Sequence, residues 1–267
     1  MSFAPPWGPT IMNLPLVVAR DEWLAARKDL LTREKALTKA RDELAAARRE
    51  LPMTLVEKEY VFEGPDGRAT LLDLFDGRRQ LIVDHMMWAF DVDAAGNETP
   101  RVTGCPSCSA RADNLGHLVH LHQRDTSLVA VSRAPQSLIG PFLERMGWPF
   151  PWYSSAGSDF NYDFHATIDD RVAPVLLNYR TESELPFEWS PANRGDYPGL
   201  SVFLRDGDTV FHTYSTFARG LEQTGGTHYF LDMTALGRQE EWERPAGRVT
   251  AFGEKAGNPD LRFHDEY

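Results

Sequence analysis

The whole chain holds two cysteines, three positions apart, as Cys105 and Cys108 in Gly-Cys-Pro-Ser-Cys-Ser. Thiol–disulfide exchange needs a thiolate, so a dithiol working near neutral pH must contain one thiol that ionises there. The spacing predicts how. With Cys105 at a helix N-cap and Pro106 as the first helical residue, the unpaired amides of the first turn face the Cys105 sulfur. Cys108 falls one turn further on, within reach of that sulfur and more shielded. Cys105 is read as the attacking thiol and Cys108 as the resolving one.

Other uses of two cysteines fit less well. One short-range pair closes too small a loop to staple a fold. A structural zinc site would need a second Cys-x-x-Cys, and His117, His120 and His122 are spaced irregularly for one helical face. No Gly-rich phosphate loop or dinucleotide fingerprint is present, so no nucleotide, metal or other cofactor is expected.

Several residues are candidates to support the pair, each with a plainer alternative. His85 follows an apolar run and is read as a proton shuttle facing the dithiol or as a satisfied strand-end histidine. Asp84 is read as a buried carboxylate that takes the Cys108 proton or as a solvent-facing residue. Thr103 either donates to the Cys105 thiolate or caps a loop. Pro198, just before a strand, suits a cis-proline loop laid against the cysteines. Trp88 and Trp148 read as packing.

The elements that must position these groups follow from composition and pattern. The chain has 267 residues, 42% of them hydrophobic and 25% charged, which is ordinary for a packed core and unlike a disordered tail. No run approaches the roughly 20 apolar residues that span a bilayer, so no membrane partner is expected. The formal net charge of −11 argues against a phosphate-tracking nucleic-acid binder. Scattered cysteines and a basic, uninterrupted leader are missing, so a reducing cytoplasm is the expected compartment. Either Met1 or Met12 is read as the start.

Residues 21–52 read as a helical arm, with Asp21 and Glu22 at its start and Pro52 as its stop. Trp23, Leu30, Leu37, Leu44 and Leu51 recur every seven residues as a narrow apolar seam. The seam suits an arm packed along its own domain or a homodimer contact through residues 23–51. Before the arm, residues 1–20 are Pro-rich and read as extended.

The body is expected over 53–240, with insertions at about 89–103 and 157–197, and a polar tail over 241–267. Tyr60–Phe62, Leu81–Val83, Leu128–Ser132, Leu200–Leu204 and Thr209–Ser215 read as strands, with hairpin turns at Gly64–Gly67 and Arg205–Asp208. A polar loop spans Asp91–Thr103. Pro106 to about Gln123 and Gln136–Met146 read as helices, the second ended by Gly147. A short apolar element is expected near Tyr229–Leu236. Strand, Cys-x-x-Cys, helix, strand, helix argues for an α/β sheet.

Five stretches carry a resemblance: Val18–Arg27, Tyr60–Gly67, Leu74–Val83, Gly104–Ser109 and Leu231–Arg238. Together the chain resembles the bacterial thioredoxin-like family DUF899 from about residue 16 to residue 240. The resemblance implies a thioredoxin-like fold with an N-terminal helical arm and insertions, and it places the redox pair on Cys105 and Cys108. Family members usually have a shorter, more aromatic segment before the cysteines, where this chain carries the polar insert Asp91–Thr99. The body is also similar to peroxiredoxins around Trp148–Ser155. Their peroxide-binding signature is not reproduced, because Pro100 and Thr103 stand five and two residues before Cys105 rather than seven and three.

The reading these features support is a thiol–disulfide oxidoreductase. It acts on a disulfide-bearing protein or small molecule and is recharged by an external thiol reductant. A peroxiredoxin-like thiol peroxidase and a non-catalytic binding or scaffold module on a redoxin fold are the alternatives.

Overall fold

A computed structural model describes residues 15–93, 96–224, 226 and 263–266. The expected element at Tyr229–Leu236, the start-site region and most of the tail over 241–267 lie outside the described residues. The chain divides into two compact units, one holding the N-terminal helix and the other comprising residues 51–226 with 262–267. In the second unit Phe263 is buried and packs edge-on against Phe142 at 5.3 Å.

The N-terminal helix, α1, spans Arg20–Arg49. Asp21 and Glu22 in its first turn and Arg48 and Arg49 in its last suit the helix dipole. None of its residues is buried, and the heptad residues Trp23, Leu30, Leu37 and Leu44 stand exposed.

The body is built on one eight-stranded sheet. Its strands are β1 (Thr54–Leu55), β2 (Val61–Gly64), β3 (Gly67–Thr70), β4 (Gln80–His85), β7 (Thr126–Ser132), β8 (Trp152–Ser154), β13 (Gly199–Asp206) and β14 (Thr209–Phe217). Their spatial order is β1-β14-β13-β4-β7-β8-β2-β3. Strands β4, β7 and β8 run parallel, whereas β13 lies antiparallel to β4 and to β14.

Between β4 and β7 come a hairpin of β5 (Trp88–Val92) with β6 (Glu98–Gly104), then helices α2 (Pro106–Ala112) and α3 (Val119–His122). Helix α4 (Gln136–Met146) links β7 to β8 and ends on left-handed Gly147. A parallel strand–helix–strand–helix–strand core flanked by an antiparallel pair is a thioredoxin-like α/β fold.

The β-sheet alternation of two decides what faces what. On β4, Leu81 and Val83 pack with Val129, Val131, Phe160 and Phe203 on one face. Ile82 turns to the other face, where Leu128, Ala130, Cys108, Ile139, Phe142 and Trp152 form the core beneath α2 and α4.

Two expectations are corrected. The loop over Asp91–Thr103 is a hairpin: Asn97 N–H and Nδ2 bond the Asp93 carboxylate, Gly96 takes a left-handed φ of 83°, and the strands pair from Trp88↔Gly104 to Val92↔Glu98. Its outer face is wet, so the apolar alternation that announces a strand is weak. The helix expected from Pro106 to Gln123 breaks after Ala112, around Gly116, into two short helices. Trp152–Ser154, flanked upstream by two prolines, is a buried parallel strand.

The insertion after β8 is ordered locally. It contains α5 (Phe160–Asp163), β9 (Thr167–Ile168), the pair β10 (Leu176–Leu177) and β11 (Arg180–Thr181), and β12 (Gly195–Asp196), which pairs with β9. Phe160 and Phe164 anchor it to the core, packing edge-on or tilted against Tyr60 and Phe203.

Candidate functional site

The dithiol sits where β4 hands over to α2, and the chain reaches it by a detour. The β5–β6 hairpin leaves β4 after Met87 and returns so that the Cys105 amide donates to the Met87 carbonyl at 3.2 Å. Gly104 makes this return tight. A Cβ on it would lie 3.1 Å from Phe142 and 3.6 Å from Trp88 and Trp152.

Cys105 is the extended N-cap of α2, with φ −71° and ψ 127°, and Pro106 is its first helical residue. Both thiols are free; Cys105 is partly exposed and Cys108 is buried.

The two sulfurs titrate apart. The Cys108 thiol donates to Cys105 and, against a burial penalty, lowers the Cys105 pKa to about 6, with help from the Cys108 and Ser107 amides and the Ser107 side chain. The same hydrogen bond, with burial, pushes the Cys108 thiol well above its ordinary value. A partly exposed thiolate backed by a buried thiol has the polarity that thiol–disulfide exchange requires.

Asp84 lies on the same face of β4 as Ile82. It is 1% exposed and ion-paired with Arg111 of α2, whose side chain is 9% exposed. The solvent-facing alternative is excluded. Arg111 also acts on the thiols: its charge opposes the upward shift of Cys108, while Asp84 and both cysteines hold the guanidinium charged against burial. The second Asp84 oxygen, Oδ2, is buried without a hydrogen-bond partner among the described residues.

Arg111 was missed in the sequence, yet a signal was there. It stands three residues after Cys108, on the same side of a helix.

The remaining candidates divide. His85 points to the opposite face of the sheet from Asp84. Its Nε2 bonds Ser201 Oγ at 2.8 Å, its ring stacks on Phe160, and burial lowers its pKa to about 3. It is therefore a strand-end histidine that faces away from the dithiol, bonded through Nε2, with Nδ1 buried and without a hydrogen-bond partner among the described residues. Thr103 is partly buried on β6, and the groups acting on Cys105 are Cys108 and Ser107. Pro198 immediately precedes Gly199, which pairs with His85 at the end of β4, and lines a cavity with Tyr197 and Phe217. Trp88 and Trp148 are core residues, 3% and 9% exposed. Among the described residues no three His, Cys, Asp or Glu side chains gather where a metal ion fits, the cysteines and His117, His120 and His122 included.

A second polar junction fixes the hairpin. Arg133, just after β7, pairs with Asp196 of β12 and Glu98 of β6, and its guanidinium lies 4.6 Å from the Phe90 ring centroid. Asp196 also receives the Trp88 amide and the Thr167 hydroxyl.

Strand order and the placement of the Cys-x-x-Cys segment define a thioredoxin-like protein. More narrowly, the chain belongs to the DUF899 family, described as bacterial protein of unknown function, whose model matches residues 12–267. No curated protein matches the chain. Among solved structures it is similar to the peroxidoxin BcpB from Mycobacterium tuberculosis, at 12% identity and a TM-score of 0.40 over 65% of this chain and 93% of that one. Peroxiredoxin Q from Xanthomonas campestris matches at 11% identity and a TM-score of 0.41, over 65% and 92%. A putative protein disulfide isomerase from Bacteroides thetaiotaomicron matches at 14% and 0.36, over 67% and 98%. The strand order, rather than these overlaps, carries the fold assignment. No helix among the described residues is long and apolar enough to cross a membrane.

Proposed function

We propose that the protein is a thiol–disulfide oxidoreductase. The observation that supports this best is the asymmetry of the dithiol: a partly exposed Cys105 with a pKa of about 6, hydrogen-bonded by a buried Cys108.

The Cys105 thiolate attacks one sulfur of a substrate disulfide, forming a mixed disulfide and expelling the other substrate sulfur as a thiolate, which takes a proton from water. Cys108 then loses its proton and attacks the Cys105 sulfur. The second substrate sulfur leaves as a thiol, and the protein holds Cys105–Cys108 as a disulfide. The substrate has gained two electrons and two protons. An external dithiol restores the protein by the reverse exchange. Arg111 lowers the cost of the Cys108 thiolate as it forms. The substrate is a protein or small molecule bearing a disulfide, and the setting is a reducing cytoplasm.

The test is reduction of insulin disulfides with dithiothreitol as donor. Cys105→Ser is expected to abolish protein-dependent turnover, and Cys108→Ser to accumulate mixed disulfides visible on non-reducing gels. Activity of both variants equal to wild type would overturn the reading. Oxidation of Cys105 by micromolar hydroperoxide faster than by disulfides would transfer it to the thiol peroxidase alternative.

A further inference from the structure

On the face of the sheet away from the cysteines, two cavities of about 380 Å³ and 240 Å³ share His165 and Phe217 as walls. We propose that these cavities form one binding cleft for a small uncharged amphipathic molecule, with an apolar ring-sized body and a hydroxyl or carbonyl head.

The larger cavity supplies the polar wall. His212 Nε2 bonds Ser215 Oγ at 2.7 Å, Ser215 Oγ bonds Ser201 Oγ at 2.8 Å, and Ser201 Oγ bonds His85 Nε2 at 2.8 Å. Tyr179 donates to the Ser215 carbonyl at 3.0 Å. This relay is held by its own members, so His212 and Ser215 are oriented before anything binds, and a preorganised polar wall costs a ligand little. Burial keeps His165 and His212 below their ordinary pKa, and both present neutral rings at pH 7.

The nearby cation is already committed. Lys58 Nζ is 2.7 Å from both Asp159 and Asp163, leaving little attraction for an anion. The smaller cavity supplies the apolar lobe through Leu177, Leu185, Pro186, Phe187 and Tyr197, with exposed Arg180 its one formally charged lining residue.

The backbone around the cleft is an independent observation. His165, Asn178, Tyr179 and Ala218 adopt left-handed φ values of 54°, 50°, 64° and 50°, and each lines one or both cavities. Only Asp76 and Asp125 among the other described non-glycine residues do so. Side chains with a Cβ occupy that region where their surroundings enforce it, and such residues cluster at ligand clamps.

The cleft does not depend on the dithiol, so it is tested with Cys105 alkylated, which blocks the exchange chemistry. The full chain carrying ¹³C-labelled histidine is titrated with 4-ethylphenol, with 4-ethylbenzoate as the anionic analogue and ethylbenzene as the headless one. Saturable shifts of the His165 and His212 ring signals at millimolar 4-ethylphenol are expected, with either analogue weaker by about tenfold or more. Leu185→Arg, on an exposed loop, should block the apolar lobe and remove the response while leaving the remaining spectrum in place. Ser215→Ala should weaken 4-ethylphenol and leave ethylbenzene unchanged. No saturable shift up to the solubility limit of 4-ethylphenol overturns the proposal, and so does equal or tighter binding of 4-ethylbenzoate. An unaltered response in Leu185→Arg would place the binding elsewhere and overturn it as well.

Discussion

Arg111 and Asp84 meet as a buried ion pair one helical turn beyond Cys108, their side chains 9% and 1% exposed. Removing one partner of such a pair strands the other charge, which costs about 3 to 5 kcal/mol. Arg111→Gln is therefore expected to lower unfolding free energy by that order in urea titrations. The pair Asp84→Leu with Arg111→Met should recover most of the loss. Because the Arg111 charge also interacts with the Cys105 thiolate, its removal destabilises the reduced form. The Cys105–Cys108 potential should fall by on the order of 30 mV against glutathione buffers. A potential unmoved by Arg111→Gln would show that the cation does not reach the couple.

Alkylation reads the titration of Cys105 directly. Its rate with iodoacetamide should be half-maximal near pH 6, and Cys108 should stay unreactive until the protein unfolds. Linkage follows. A thiol whose folded pKa is lowered adds stability that is complete above its unfolded value, near 8.5, and is lost as pH falls through about 6. The reduced protein should thus gain stability between pH 6 and 8.5 relative to the Cys105→Ser variant. Above that window Cys108, shifted the other way, erodes the gain.

His85 sets an acid limb of its own. Its folded pKa of about 3 lies below the unfolded 6.5, so the unfolded chain binds the extra proton. Stability is full above pH 6.5 and falls as pH drops from 6.5 towards 3, by about 1.4 kcal/mol per pH unit for each proton taken up. His165 and His212, also lowered, add in the same direction. Urea midpoints across pH 4–7 check this, and a flat profile would contradict it.

Arg133 predicts a local effect. Arg133→Met leaves Asp196, 4% exposed at its side chain, with only the Trp88 amide and the Thr167 hydroxyl. A loss of about 3 kcal/mol is expected. Hydrogen exchange should speed up first in Trp88–Val92 and Glu98–Gly104, with β4 and β7 protected longer. Uniform acceleration across the sheet would deny the hairpin a clamp of its own.

Gly104→Ala tests the close approach before Cys105. The added methyl meets Phe142 at 3.1 Å, and the three aromatic rings around it are already packed together. A loss of about 1 to 3 kcal/mol is expected in thermal unfolding.

What could be read in advance follows from how local each signal is. Gln136–Met146 and its Gly147 stop, the hairpin at Arg205–Asp208 and the N-cap role of Cys105 depend on neighbours a few residues away, and the chain spells them out. The β5–β6 hairpin was read as a loop because its outer residues are polar and its anchors, Arg133 against Phe90 and Glu98, and Asp196 against the Trp88 amide, lie far along the chain. The face on which His85 falls depends on where Ser201 and Phe160 arrive, more than seventy residues away. Arg111 lay in plain view. Its role needed Asp84 to be buried opposite, which spacing alone does not reveal.

The hairpin between β4 and Cys105 begins and ends at one place, because Met87 and Cys105 are hydrogen-bonded across its base. Its length is therefore mechanically decoupled from the dithiol. The part of the hairpin beyond the Phe90 and Glu98 contacts to Arg133 can change without altering the join that carries the thiols. The thiols and the hairpin tip are thus held by separate contacts.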